Sequence, residues 1–150
     1  MNEPLDQTVR SVVPLVLETA AFMTIWPFQE SDGELPVPDV SASMTFSGPC
    51  SGRLTLRVAT EILPLLTQNM LGELEPDDSP EEKGRDALKE VLNMICGNLL
   101  TEWQGSDPIF HLSPPEIEDL NTLANSVETC AASVKFTLEN TLAIVDVKEM

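Results

Sequence analysis

Leu54, Leu56 and Val58 alternate with Arg53, Thr55 and Arg57, and Val134, Phe136 and Leu138 repeat the alternation near the other end of the chain. A period of two sends successive side chains to opposite faces of a strand. Both segments therefore belong to a sheet with one buried and one wet face. Each has a partner close in sequence. Val40 to Ser47 precedes the first, across the turn Gly48-Pro49-Cys50-Ser51-Gly52. Leu142 to Val147 follows the second, across Glu139-Asn140. Two antiparallel hairpins are predicted, and their apolar face needs a cover.

Helices supply the cover. In residues 5–25, Val9, Val12, Val13, Val16, Leu17 and Ala20 recur at helical spacing. Pro14 predicts a late start or a kink there, and Pro27 closes the segment. Residues 29–39 read as a Pro/Gly-rich loop. Thr60 is the expected N-cap of a helix through Leu71, stopped by Gly72. An acidic linker, 73–80, leads to Ser79, Pro80 and Glu82, a good start for a helix reaching about Glu102. Residues 105–122, marked by Pro108, Pro114 and Pro115, read as loop with short pieces. Helix then hairpin occurs twice. Overlaying Glu18 on Glu90 puts Val16 on Leu88, Ala20 on Leu92 and Met23 on Ile95, which suggests an internal duplication. The expected class is α+β: an antiparallel sheet built from hairpins, long helices packed on one face, and pseudo-duplicated halves within a single domain over 1–150.

The formal net charge of −17 narrows the partners. Phosphate backbones and anionic lipid would be repelled, so neither nucleic acid nor a membrane surface is expected. Basic or metal-bearing protein surfaces remain suitable. The apolar run Val12 to Leu17 is short, holds a proline and follows Glu3 and Asp6, so no signal peptide or membrane span is expected. A cytoplasmic protein is the expectation. Cys50, Cys96 and Cys130 lack any paired metal spacing. The single histidine, His111, stands near no obvious nucleophile, and there is no Gly-rich phosphate loop. None of these residues is assigned a role.

The long helix carries the informative face. Ala87, Leu88, Val91, Leu92, Ile95 and Leu99 form its core stripe. Taking Asp86 as zero, Glu90 falls near 40°, Asn93 near −20° and Gly97 near 20° at about 100° per residue. The four share a sector of about 60° opposite that stripe. Glu90 and Asn93, at i and i+3, can reach one target. A helix-interior glycine costs roughly 1 kcal/mol relative to alanine. Gly97 is therefore expected to serve close approach by another surface. Glu-x-x-Asn alone is an ordinary solvated helix face. Pro115, twenty-two positions beyond Asn93, extends the pattern to D-x3-E-x2-N-x21-P.

That pattern resembles the CheC/CheX family of bacterial chemotaxis phosphatases. Asp86, Glu90, Asn93 and Pro115 match the family motif [D/S]-x3-E-x2-N-x21-P, Gly97 suits its helix, and the order of elements agrees over most of the chain. In the first half, Glu18 is followed by Ala21 where asparagine would be needed, and Pro14 takes the place of Asp86. One intact motif, in the second half, resembles CheX more than CheC. FliY-type relatives add a flagellar-switch domain, which is not expected here.

The resemblance implies a substrate, the phospho-aspartate of a CheY-like response regulator in two-component signalling. It implies Asn93 as the residue that positions the attacking water and Glu90 as the partner of the regulator's lysine. Asp86 is implied as a secondary binding residue and Pro115 as a structural one. It also implies Mg²⁺ on the partner, no cofactor or metal of the chain's own, and a homodimer. The last strand, Leu142 to Val147, is the expected place for pairing or packing across that dimer. A docking or assembly module that binds the regulator without hydrolysis is the alternative. A small-ligand domain of similar fold would need a deep apolar pocket, for which the sequence gives no sign. The sequence does not select a cognate regulator, nor chemotaxis over another two-component pathway.

Overall fold

The computed structural model describes residues 4–119 and 130–150. The described elements are α1 (Leu5–Ala20), β1 (Ile25–Pro27), β2 (Val40–Ser47), β3 (Ser51–Val58), α2 (Leu63–Leu71), α3 (Pro80–Gln104), β4 (His111–Leu112), β5 (Glu116–Asp119), β6 (Ala132–Leu138) and β7 (Thr141–Glu149). The strands form one antiparallel sheet in the order β1-β6-β7-β3-β2, with β4 and β5 both paired to the outer edge of β2. α1 packs on β6 and α3, while α3 packs on β2, β3 and β5, so the helices share one face of the sheet. The expected α+β class is what forms.

The two hairpins appear where the alternation placed them. β2 pairs with β3 from Val40↔Val58 to Ser47↔Ser51, and β6 pairs with β7 from Ala132↔Val147 to Leu138↔Thr141. Glu139 and Asn140 both take positive φ, 48° and 65°, as a two-residue turn between right-twisted strands requires. On the inner face Leu54, Leu56, Val58, Val134, Phe136, Val145 and Val147 are all buried. Arg53 and Lys135 emerge on the outer face.

The topology bears out the duplication. The β3–β7 pair lies at the centre, with a hairpin partner on each side. Outside each hairpin lies a short strand from the opposite half: β1 on β6, and β4 with β5 on β2. Each half thus completes the other's sheet. The helical overlay needs correction, however. Val12, Val13, Val16 and Leu17 are the buried pairs of α1, and Ala87, Leu88, Val91 and Leu92 are those of α3. Placing Glu18 on Glu90 puts buried Ala21 on exposed Asn93, one residue out of phase. In any register α1 contains no asparagine.

Several sequence expectations shift. The first helix ends at Ala20, because Phe22 takes φ 52° and Ile25 to Pro27 turn into an edge strand on β6. α1 runs from Leu5 straight through Pro14, so the helix does not start late. Thr60 caps nothing: it opens a short 3₁₀ turn, Thr60–Ile62, ahead of α2. Asp39 acts instead, its Oδ1 accepting from the Thr60 amide at 2.6 Å and from Thr60 Oγ1 at 2.8 Å. Ser79 does cap α3, accepting from the Glu82 amide at 3.4 Å, with Pro80 at the first helical position. Gly72 ends α2 at φ 82°.

The segment read as loop with short pieces, 105–122, has the strands β4 and β5 as its pieces. Its residues 120–122 lie outside the described residues. Pro114 and Pro115 have no amide to donate, so they interrupt the edge strand between its two pieces. Ser113 bridges the gap, its amide donating to Thr45 O at 2.9 Å while its Oγ accepts from the Thr45 amide at 2.8 Å. Of the two roles expected for the last strand, pairing across a dimer is excluded. β7 lies inside the sheet between β6 and β3, with both edges paired, so it offers no edge to a second copy.

Candidate functional site

α3 holds the motif because its other side is fully committed. Ala87, Leu88, Val91, Leu92, Ile95, Cys96 and Leu99 are all buried to 0 % exposure. At its far end Trp103 meets Phe46 edge-on at 6.3 Å, and Phe46 meets Phe110 at 6.1 Å. At its near end Gly84 lets α2 approach. A Cβ on Gly84 would stand 3.1 Å from Leu63 Cβ, tighter than most real contacts. These anchors fix the rotation of α3 about its axis, and so the direction in which the opposite face points.

That face carries the motif. Asp86, Glu90, Asn93 and Gly97 are all exposed. Among the described residues, the side chains of Asp86, Glu90 and Asn93 make no hydrogen bond or ion pair. Their neighbours differ. Asn98 Nδ2 donates to Met94 O at 2.8 Å, and Thr101 Oγ1 donates to Gly97 O at 3.0 Å, so both side chains fold back on their own helix. The Asn93 amide is left with its donors and acceptor directed to solvent. A Cβ on Gly97 would meet nothing within 4 Å, so no packing within the described chain calls for glycine there.

Pro115 is half-buried between β4 and β5, and α3 packs against β5. The proline thus belongs to the sheet edge beside the helix rather than to the exposed polar face. Burial pushes the Cys96 thiol up to about 11, which makes it a packed apolar group rather than a nucleophile. His111 is exposed on β4, opposite Ser47. No cluster of three or more His, Cys, Asp or Glu side chains suited to a metal occurs among the described residues. No described helix is long and apolar enough to cross a membrane.

Two features escaped the sequence. An open, mainly apolar cavity of about 670 Å³ lies between α2 and the start of α3, lined by Leu63, Pro64, Leu74, Pro80 and Arg85 among others. It forms where the linker passes between two helices, a juxtaposition that periodicity cannot show. The second feature is at α1 and its end, where Leu15 is 54 % exposed and Phe22, past the last turn, is 73 % exposed. The sequence reading places both within one helical segment, 5–25.

Comparison with known proteins bears on the family and the fold. The model of the family described as chemotaxis phosphatase CheX matches residues 40–139. A search of curated proteins finds no match. Among solved structures, CheX from Desulfovibrio desulfuricans superposes with a TM-score of 0.74 at 19 % identity, over 97 % of this chain and 99 % of that one. CheX from Vibrio vulnificus gives 0.72 at 20 % identity, over 99 % and 97 %. The CheX–CheY–BeF3–Mg²⁺ complex from Borrelia burgdorferi gives 0.70 at 15 % identity, over 99 % of both chains. At these identities the likeness to the solved structures is one of fold. The family match spans most of the sheet, all of α2 and α3 and the complete motif, and on it the chain belongs to the chemotaxis phosphatase CheX family.

Proposed function

We propose that the chain hydrolyses the phospho-aspartate of a CheY-like response regulator, using Asn93 and Glu90. The observation that carries this reading is the state of those two side chains. They are exposed on one face of a helix whose opposite face is locked in the core, and neither is engaged by another described residue. A relative of the same fold, from Borrelia burgdorferi, was captured with CheY, BeF3 and Mg²⁺, which supports a regulator of that kind as the partner.

The chemistry asks little of the enzyme beyond position. An acyl phosphate is already labile, and the regulator supplies the Mg²⁺ that neutralises phosphoryl charge. Water attacks phosphorus, the bond from phosphorus to the aspartyl oxygen breaks, and its electron pair returns to the carboxylate. The water's protons pass to phosphate and solvent, leaving inorganic phosphate and a free aspartate. Asn93 would hold the water in line by hydrogen bonding while bringing no charge toward the phosphoryl group. Glu90 would pair with the regulator's lysine and orient the helix. Asp86, one turn earlier, would add charge to the docking face. Gly97 would let the regulator's backbone approach, and Pro115 would fix the edge that borders the helix. No covalent intermediate on this chain is needed.

A single domain, a cytoplasmic setting and a homodimer complete the reading. The dimer cannot form by edge pairing through β7, since both edges of that strand are paired. Light scattering during size exclusion tests it, and a monomer mass overturns the dimer alone.

The deciding experiment is phosphate release from a small-molecule-phosphorylated CheY-like regulator, with wild type and Asn93→Ala in parallel. Faster release by wild type, lost in Asn93→Ala while binding persists, is expected. Binding without acceleration by wild type would make the chain a docking module.

A further inference from the structure

We propose that Leu15 on α1 and Phe22 just past its end are apolar anchors of the surface that docks the response regulator, beside the polar face of α3. This inference rests on the function proposed above and names a second recognition element for the same partner.

α1 and α3 pack against each other, and both bury their inner stripes in one core. Their outer faces therefore form one continuous surface turned away from the sheet. On α1 the exposed strip is Ser11, Leu15 and Glu18, and exposed Phe22 follows just past the helix end. The strip's spacing of four and three is the spacing of Asp86, Glu90 and Asn93 on α3. The two differ in chemistry: α3 presents polar groups and a gap, while α1 and the turn that follows it present Leu15, Glu18 and Phe22.

Phe22 is the more telling of the pair. It ends α1 at φ 52°, in the left-handed region that normally falls to glycine. Its bend is firmly built, with Asn69 Nδ2 donating to Ala21 O at 2.6 Å and the Met23 amide donating to Leu17 O at 3.1 Å. A bulky side chain in that conformation is strained. Its ring is 73 % exposed, so the fold receives little packing in exchange. Leu15, seven residues earlier on α1, is likewise 54 % exposed. A partner that covers both would account for them.

The occupant is argued from charge. Glu18 lies between the two anchors, and Asp86 and Glu90 lie on the adjoining helix. This acidic frame, on a chain of net charge −17, opposes a second copy at this face. It suits a protein surface that combines a lysine with an apolar patch, as the proposed docking of Glu90 on the regulator's lysine already demands. The anchors touch no phosphoryl oxygen. They should therefore strengthen binding of the regulator with and without its phosphoryl group by the same factor.

The test is titration of a CheY-like regulator with Mg²⁺, with and without BeF3, against wild type, Leu15→Ala/Phe22→Gly and Asn93→Ala. Both substitutions in the double variant suit the backbone, since alanine favours a helix and glycine fits the positive φ. Expected is a rise of about tenfold in Kd for the double variant in both states. KM for hydrolysis should rise by the same factor, with kcat changed less than twofold. Unchanged Kd in the double variant, with hydrolysis still lost in Asn93→Ala, overturns the anchors and leaves the proposed function standing. A double variant that changes from dimer to monomer by light scattering overturns the regulator as occupant in favour of a second copy. No binding by wild type to any regulator of a panel overturns both the anchors and the proposed function.

Discussion

Gly97 lies one turn beyond Asn93 on the same exposed face of α3, and the Cβ it lacks would meet nothing within 4 Å. The fold does not ask for glycine at this position, and the helix is weaker for having it. Gly84, on the same helix, is the opposite case, since its missing Cβ is the space that Leu63 occupies. One glycine serves packing between α2 and α3. The other leaves an open step beside the amide proposed to hold the water.

Gly97→Ala should therefore stabilise the protein by roughly 1 kcal/mol, the helix propensity difference with no clash to offset it. It should also weaken docking of a response regulator. Gly84→Ala should lower the melting temperature, because the new methyl presses on Leu63 Cβ. Thermal melts of both variants check the pair. A stabilising Gly84→Ala would show that α2 can yield at no cost.

Phe22→Gly should leave stability unchanged or slightly raised. Relief of the left-handed backbone is worth about 1–2 kcal/mol. The added freedom of the unfolded chain costs about 0.4–1 kcal/mol. The exposed ring gives up little burial on removal. A clear fall in denaturation midpoint would show that Phe22 packs in solution more closely than its exposure indicates.

Asp32 links the loop after β1 to the sheet. Its carboxylate accepts from the Gln29 amide at 2.9 Å, from Thr137 Oγ1 at 2.9 Å and from Trp26 Nε1 at 3.5 Å. The Gln29 amide above all, then Thr137 and Trp26, hold its pKa below the ordinary carboxylate value. A group depressed on folding contributes stability above its unfolded pKa and loses it as pH falls through the folded one. Asp32→Asn should thus cost stability at neutral pH, and the difference from wild type should vanish at strongly acid pH. Urea melts from pH 7 down to pH 3 measure this. A difference that does not narrow with acid would assign the effect to geometry rather than charge.

Cys96 should resist thiol reagents in the native protein, with its thiol pushed up to about 11 by burial. Cys50 and Cys130 are only half-buried and should label first. Timed alkylation followed by peptide mass mapping distinguishes them. Early labelling at Cys96 would mean that α3 opens locally.

The legible parts of this protein were those governed by local periodicity. The alternation of Leu54, Leu56 and Val58 fixes a one-faced strand, and the stripe from Ala87 to Leu99 fixes which side of α3 is buried. Once that side is known, the outward direction of Glu90 and Asn93 follows from helix geometry. The spacing to Pro115 then supports the family resemblance without any coordinates. The missed elements depend on partners distant in sequence. Ile25–Pro27 is a strand only because Phe136 to Leu138 lie alongside it. His111–Leu112 and Glu116–Asp119 are strands only because the edge of β2 is open to them. Their own residues, broken by Pro114 and Pro115, carry no two-residue rhythm.

By itself, the sequence determined the hairpins, the long helix, the face that carries the motif and the acidic character that limits its partners. Tertiary structure alone decided that β7 is central, that each half lends an edge strand to the other, and that α1 packs against α3, the helix that carries the motif. The reason is physical. Side-chain periodicity follows from backbone geometry within one element, whereas strand order and neighbouring faces depend on which surfaces are left to bury after the elements have formed.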